Sequence, residues 1–191
     1  MSNRKLILVK HALPIIDEEK ASGEWHLSDE GKEKCRDLAK LLKDVHTHSI
    51  YSSYVPKAKE TAEGIAEVLG CNVVAHENLH EHSRNEVNFM PRGVFIDTMM
   101  KFFQYPHALI FGEETANEAK NRFTQAVKEI VYQTPQEDDI VIVAHGTVNT
   151  LFVSEFNEIN QFEFWNTLDL PSYVVLDANS FKLVELVEQV G

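Results

Sequence analysis

Two unbroken apolar runs, Leu6-Ile7-Leu8-Val9 and Ile140-Val141-Ile142-Val143-Ala144, restrict the folds open to this chain more than anything else in it. A strand with one face in water alternates apolar and polar residues; a run without alternation is a strand covered on both faces. Strands of that kind belong to parallel sheets whose crossovers lay helices on either side. The expectation is a three-layer α/β/α sandwich with a mostly parallel sheet. No repeat, low-complexity tract or linker interrupts residues 1–191, so they are read as one domain, a size that suits 191 residues.

The rest of the pattern agrees with alternating strands and helices. Ser28, followed by Asp29 and Glu30, opens a helix carrying Leu38, Leu41, Leu42 and Val45. Ser49 to Ser53 reads as a short strand. Pro56 suits a first helical turn, and Ala58, Thr61, Ala62, Ile65, Ala66 and Leu69 follow on one face before a Gly70 stop. Asn72 to Ala75 is a further strand. Residues 76–112 are the least regular, with helical register only from Phe95 to Phe103. A long amphipathic helix is expected over Glu113 to Tyr132, another over Thr147 to Phe156, and closing strands over Ser172 to Asp177 and Phe181 to Val187.

Composition narrows the function. With 43% hydrophobic and 25% charged residues the chain can bury a core and stay soluble, but its net charge is −12. Affinity for nucleic acid rests on Lys and Arg neutralising phosphates, and anionic membranes repel an acidic surface, so neither partner is expected. A small phosphorylated substrate remains compatible, because a few local cations outweigh a screened distant field. Cys35 and Cys71 make no disulfide framework and no CxxC pair. Met1 to Val9 lacks a long enough apolar core for a signal peptide, and no apolar stretch approaches a spanning helix. The expected location is a reducing cytoplasm; the oligomeric state is left open.

Both apolar runs end in a histidine: His11 follows Lys10, and His145 follows Ala144. Ligands of open α/β sheets bind beyond the carboxyl ends of the strands. If the two strands are neighbours, both imidazoles face one crevice. Lys57 lies in the turn after Tyr51-Ser52-Ser53, at a helix start whose amides also favour an anion. Lys10, Lys57 and the two histidines would together make a cationic pocket inside an acidic protein.

At this point the chain resembles a known family. Lys10-His11-Ala12 is similar to the Arg-His-Gly/Ala strand end of the histidine phosphatase (phosphoglycerate-mutase-like) superfamily. Leu27-Ser28-Asp29-Glu30-Gly31 resembles its helix entry, and Ser52 to Ala62 its Ser-Ser-Pro-x-x-Arg-Ala stretch. Leu79-His80-Glu81 looks like its acid-bearing segment, and Val143-Ala144-His145-Gly146 its second histidine. These landmarks fall in family order across residues 5–150. The resemblance implies a metal-independent, cofactor-free phosphomonoester hydrolase. His11 would attack phosphorus to form a phosphohistidine, and a protonated Glu81 would serve the leaving group. His145, Lys10 and Lys57, with Gly146, would hold the phosphate, and Arg84 is a further candidate read from its spacing after Glu81. The resemblance also implies that the middle insertion, about 76–112, caps the site.

Departures matter as much. Both family arginines are lysine here, Lys10 and Lys57, which keeps the charge and gives up the planar fork. Leu13 and Pro14 stand where many members place a hydroxyl. Arg84, three residues after Glu81, is either a replacement guanidinium or a surface charge. These differences keep two other readings open: a phosphate-binding regulatory module without turnover, and a mutase, which the short middle insertion disfavours. His76, His80 and His82 suggest a metal site, but no second cluster completes a zinc pattern. Ser52-Ser53 lacks the context of a serine nucleophile. The aromatic residues Phe89, Phe95, Phe102, Phe103 and Phe111 are read mainly as packing, with some left to wall the leaving group; Arg92 and Lys101 are candidate contacts for further anionic groups.

Overall fold

The computed structural model describes residues 4–191; Met1 to Asn3, the start of the segment read for a leader, lie outside the described residues. Twelve elements order the chain: β1 (Lys5–Lys10), α1 (Asp29–Leu41), β2 (Ser49–Ser53), α2 (Pro56–Leu69), β3 (Asn72–His76), α3 (Arg92–Gln104), α4 (Ala116–Gln133), β4 (Ile140–Ala144), α5 (Gly146–Phe156), α6 (Gln161–Thr167), β5 (Ser172–Asp177) and β6 (Leu183–Val187). Single 3₁₀ turns occur at Ser22–Glu24 and Glu77–Leu79.

The strands form one sheet in the order β3-β2-β4-β1-β5-β6. The β2–β3, β2–β4 and β1–β4 pairs are parallel, while β5 runs antiparallel to both β1 and β6. The mostly parallel sheet expected from the apolar runs is therefore present. Its two strongest runs, β1 and β4, are central neighbours with Lys10 opposite Ala144.

Period-two geometry divides each run between two cores. Leu6, Leu8, Ile140 and Ile142 face Phe123, Val127 and Ile130 of α4 and Val148 and Phe152 of α5. Ile7, Val9, Val141 and Val143 face Leu38 of α1 and Ala58, Ala62 and Ile65 of α2. This is why neither run alternates, and it makes the fold a three-layer sandwich.

Element boundaries follow local chemistry. Ser28 caps α1 by accepting from the Gly31 N–H, and Gly70 ends α2 in the left-handed region at φ 69°. The long helix begins at Ala116 rather than Glu113, because Thr115 and Glu118 form a reciprocal capping box that fixes its start. The last strand begins at Leu183 rather than Phe181, which sits in a turn at φ 57°. Helix α6 is too short to show a period in the sequence, and its start is set by Asn160, whose side chain accepts from the Glu163 N–H. A third apolar cluster joins Met99, Phe102 and Phe103 of α3 to Ala116 and Ala119 of α4 and Leu151 of α5, with Phe95, Phe111, Phe162 and Trp165 against it.

Candidate active site

The site begins where β1 and β4 stop. Because the strands pair in register, His11 and His145 leave the sheet side by side, and the His11 N–H donates to the Ala144 carbonyl at 3.1 Å. Their rings lie 5.2 Å apart, edge to face. His11 Nδ1 lies 2.9 Å from the Ala12 carbonyl oxygen, a contact in which only a protonated nitrogen can donate. That assigns the neutral tautomer with its free lone pair on Nε2. Burial, Lys57 and His145 hold His11 well below its ordinary range; burial, Lys57 and Arg84 do the same for His145. Both rings are neutral at physiological pH.

The cations come from different elements. Lys10, the last residue of β1, donates to the Leu168 carbonyl at 2.5 Å. Lys57, in the first turn of α2, donates to the Ser22 carbonyl at 2.7 Å and lies 5.1 Å from the Trp25 ring centroid. Each ammonium thus retains further N–H donors. Burial pulls Lys10 down to about 8, against the raising effect of Glu81 and Asp169. Burial and then the nearby Arg84 bring Lys57 to about 7. Arg84 is a pocket residue rather than a surface charge: its side chain is 16% exposed, its guanidinium is 5.1 Å from the Phe95 ring, and it pairs with Glu81 at 3.8 Å.

Glu81 accepts from the His82 N–H at 2.8 Å and from the Thr147 N–H, in the first turn of α5, at 3.3 Å. Burial alone would raise its carboxyl; Arg84, His82 and Thr147 outweigh that and hold it below the ordinary carboxylate range. With no phosphate beside it, this arrangement favours the ionised form of Glu81, whereas the role expected of it as an acid needs the protonated one. Gly146, the first residue of α5, leaves room for the Lys10 side chain: a Cβ there would lie 3.2 Å from Lys10 Cε and press on that flexible chain.

These residues open onto a cavity of about 380 Å³ lined by Lys10, His11, Lys57, Glu81, Arg84, Gly146 and Thr147. Its outer wall is Trp25, Phe89, Met90, Phe95, Phe111 and Trp165, with Lys20 and Arg92 also lining it. A narrow recess reached by Ser22, Lys57, Glu81 and Arg84 also meets His145.

The sequence profile of the histidine phosphatase superfamily (branch 1) matches residues 6–187. This chain belongs to that superfamily. Phosphomonoester hydrolysis is the chemistry that membership carries. A search among curated proteins gave no match. Solved structures show the same fold in other proteins. Mycobacterial glucosyl-3-phosphoglycerate phosphatase is 18% identical with a TM-score of 0.76, each chain being 97% covered. Bacillus stearothermophilus YhfR is 22% identical at 0.75, with 96% of each chain covered. Entamoeba histolytica phosphoserine phosphatase, solved with 3-phosphoglyceric acid, is 18% identical at 0.73, again with 96% coverage of each.

Several partners in this histidine phosphatase carry no motif. The Leu168 and Ser22 carbonyls and the Thr147 N–H have no signature in the chain, and the Ser53 hydroxyl, 3.0 Å from His145 Nε2, lies in a recognisable stretch that does not reveal this contact. Trp25 and Trp165 could have been suspected only as aromatics in polar segments. The three histidines that suggest a metal site in the sequence are engaged separately. His76 accepts from the Asn78 N–H, His80 contacts the Glu81 carbonyl, and His82 is buried between Phe102 and Phe111 with Nε2 on the Glu114 carbonyl.

Proposed function

We propose that this histidine phosphatase hydrolyses phosphomonoesters through a phosphohistidine on His11, with Lys10, Lys57, Arg84, His145 and the Gly146 end of α5 as the anion pocket. The observation that carries this reading is the His11 Nδ1 contact with the Ala12 carbonyl, which leaves a neutral, oriented Nε2 as nucleophile. Nε2 attacks phosphorus and the P–O bond to the leaving alkoxide breaks. Water then attacks the phosphohistidine, releasing phosphate and regenerating the imidazole.

His145 supports the pocket as a neutral donor. Ser53 Oγ accepts from the Val55 N–H at 3.2 Å, so its own proton can go to His145 Nε2, which leaves Nδ1–H for a phosphate oxygen. Glu81 is the proton carrier for both steps. The dianionic phosphate brought beside it raises its carboxyl, so substrate binding supplies the protonation that Arg84 otherwise suppresses. Fixed cations supply the charge stabilisation, so the reaction takes no metal ion.

The middle segment, 76–112, caps the site and sets the substrate class. Its Phe89, Met90, Phe95 and Phe111 favour a leaving group with an apolar body, while Arg92 and Lys20 suit a second anionic group. Free Cys35 and Cys71 support a reducing, cytoplasmic location, and no helix among the described residues is long and apolar enough to cross a membrane.

The test is turnover of an aryl phosphate and a panel of alkyl phosphomonoesters in chelator. His11→Ala is expected to lower kcat at least about a thousand-fold and abolish acid-quench labelling. Glu81→Gln is expected to cost about 10²–10⁴-fold with alkyl substrates and less with the aryl one, whose leaving group needs no proton. Tight phosphate binding without turnover on any substrate would instead establish the regulatory module.

A further inference from the structure

The opposite end of the sheet carries a second constellation. His46 and His48 lie in the connection from α1 to β2, and Asp138 in the connection from α4 to β4, so the chain brings them together before two paired strands. His48 Nδ1 is 2.9 Å from Asp138 Oδ2 and His46 Nε2 is 3.6 Å from Oδ1. The two rings stand 5.5 Å apart, and one donor atom from each residue falls within 4.8 Å of the others. Asp138 is 3% exposed, and its Oδ1 accepts no hydrogen bond from the described residues. A buried carboxylate oxygen with no hydrogen bond, faced by an imidazole that is charged only when protonated, costs free energy unless a cation meets it.

We propose that His46, His48 and Asp138 form a binding site for a divalent transition-metal ion, Zn²⁺ above all, remote from the phosphate pocket. Two imidazoles and a carboxylate are a borderline donor set suited to Zn²⁺, with solvent completing four-coordination. Tetrahedral Zn²⁺ needs donors on the order of 3.3 Å apart. The exposed rings reach that spacing by turning, since their side chains are 68% and 75% accessible. The buried member is already held: Arg4 donates to the Asp138 carbonyl at 2.8 Å, and the neighbouring Asp139 accepts from the Lys5 N–H at 2.8 Å and the His46 N–H at 3.3 Å. Outer contacts of this kind orient ligands before the ion arrives. The net charge of −12 further favours a divalent cation. The five residues of β2 separate this site from Ser53, roughly 15–20 Å, so the ion would clamp two connections together and take no part in phosphoryl transfer.

The experiment titrates the metal-free full chain with ZnCl₂ by calorimetry, follows Co²⁺ by visible absorption, and records Tm with and without Zn²⁺. Wild type and His11→Ala should each bind at this site, with Tm rising about 5–10 °C at an ion concentration about a hundred times Kd. The exposed pair His46→Ala/His48→Ala should lose that binding and the Tm rise while keeping wild-type phosphatase activity. Asp138→Asn should weaken binding at least tenfold. Absence of binding in wild type, binding unchanged in the histidine double variant, or full affinity in a folded Asp138→Asn would each overturn the assignment.

Discussion

Lys57 shows how burying a charge ties a single residue to pH. Its ammonium sits under Trp25 with a pKa brought down by burial and Arg84 to about 7, and Lys10 is brought to about 8. Both carry full positive charge below these values and lose it as pH rises through them. Since kcat/KM reports the free enzyme, it should fall above about pH 7, where Lys57 becomes neutral. Lys57→Arg keeps its charge at every accessible pH. Its alkaline limb should move up by about one unit, to where Lys10 titrates; a pH–rate series on an aryl phosphate checks this, and an unmoved limb would remove Lys57 from the phosphate site. His11, His145, Lys10 and Lys57 were all legible in the sequence, because each stands at the end of a strand or the start of a helix. Arg84 was half legible: its spacing from Glu81 was visible, but its stacking on Phe95 joins residues from the middle segment that only folding brings together.

At the scale of elements, the irregular middle segment depends on a tie between residues 81–84 and 112–114. The Glu113 N–H donates to the Ser83 carbonyl at 2.8 Å, Glu114 accepts from the Ser83 N–H at 2.9 Å, and Arg122 of α4 binds the Glu114 carboxylate. Gly112 makes this possible, with φ 75° and a hydrogen pointing where a Cβ would lie 2.2 Å from the Ser83 oxygen. Gly112→Ala should destabilise the protein by at least about 2 kcal/mol, from left-handed strain plus the backbone shift. It should also lower kcat/KM, because Glu81 and Arg84 move with the displaced segment. Urea midpoints alongside kinetics separate the two effects. The sequence showed that α3 is helical, yet its partners in the third cluster are spread from α4 to α6, and α6 itself is too short to announce a period.

For the whole molecule, the neutral histidines make stability depend on acidity. His11 and His145 have folded pKa values held well below 6.5, whereas in the unfolded chain they titrate near 6.5. As pH falls below about 6.5 the unfolded state takes up protons that the folded state refuses, so stability is present above that point and is lost on acidification. Two such groups give a slope of about 2.7 kcal/mol per pH unit once both are protonated in the unfolded chain. Urea unfolding between about pH 7.5 and 5 should show this loss, and His11→Ala should reduce the slope by about half of that amount. An unchanged slope in the variant would mean that His11 is protonated in the folded state.

What the sequence determined by itself is the layered sheet and the position of the two histidines, since unalternating apolar runs must be covered on both faces and each run ends at a polar reactive residue. The order of the sheet was open until β1 and β4 were seen to pair, and with it the 5.2 Å meeting of the imidazoles. Protonation states were decided by tertiary structure alone. Burial raises the Glu81 carboxyl, but Arg84 and two N–H groups hold it below its ordinary range, and burial brings Lys57 to about 7. The pairing of His46-Thr47-His48 with Asp138, 90 residues from His48, was equally invisible. Periodicity records which face of an element meets the core, but solvation and charge depend on neighbours that are distant in the chain.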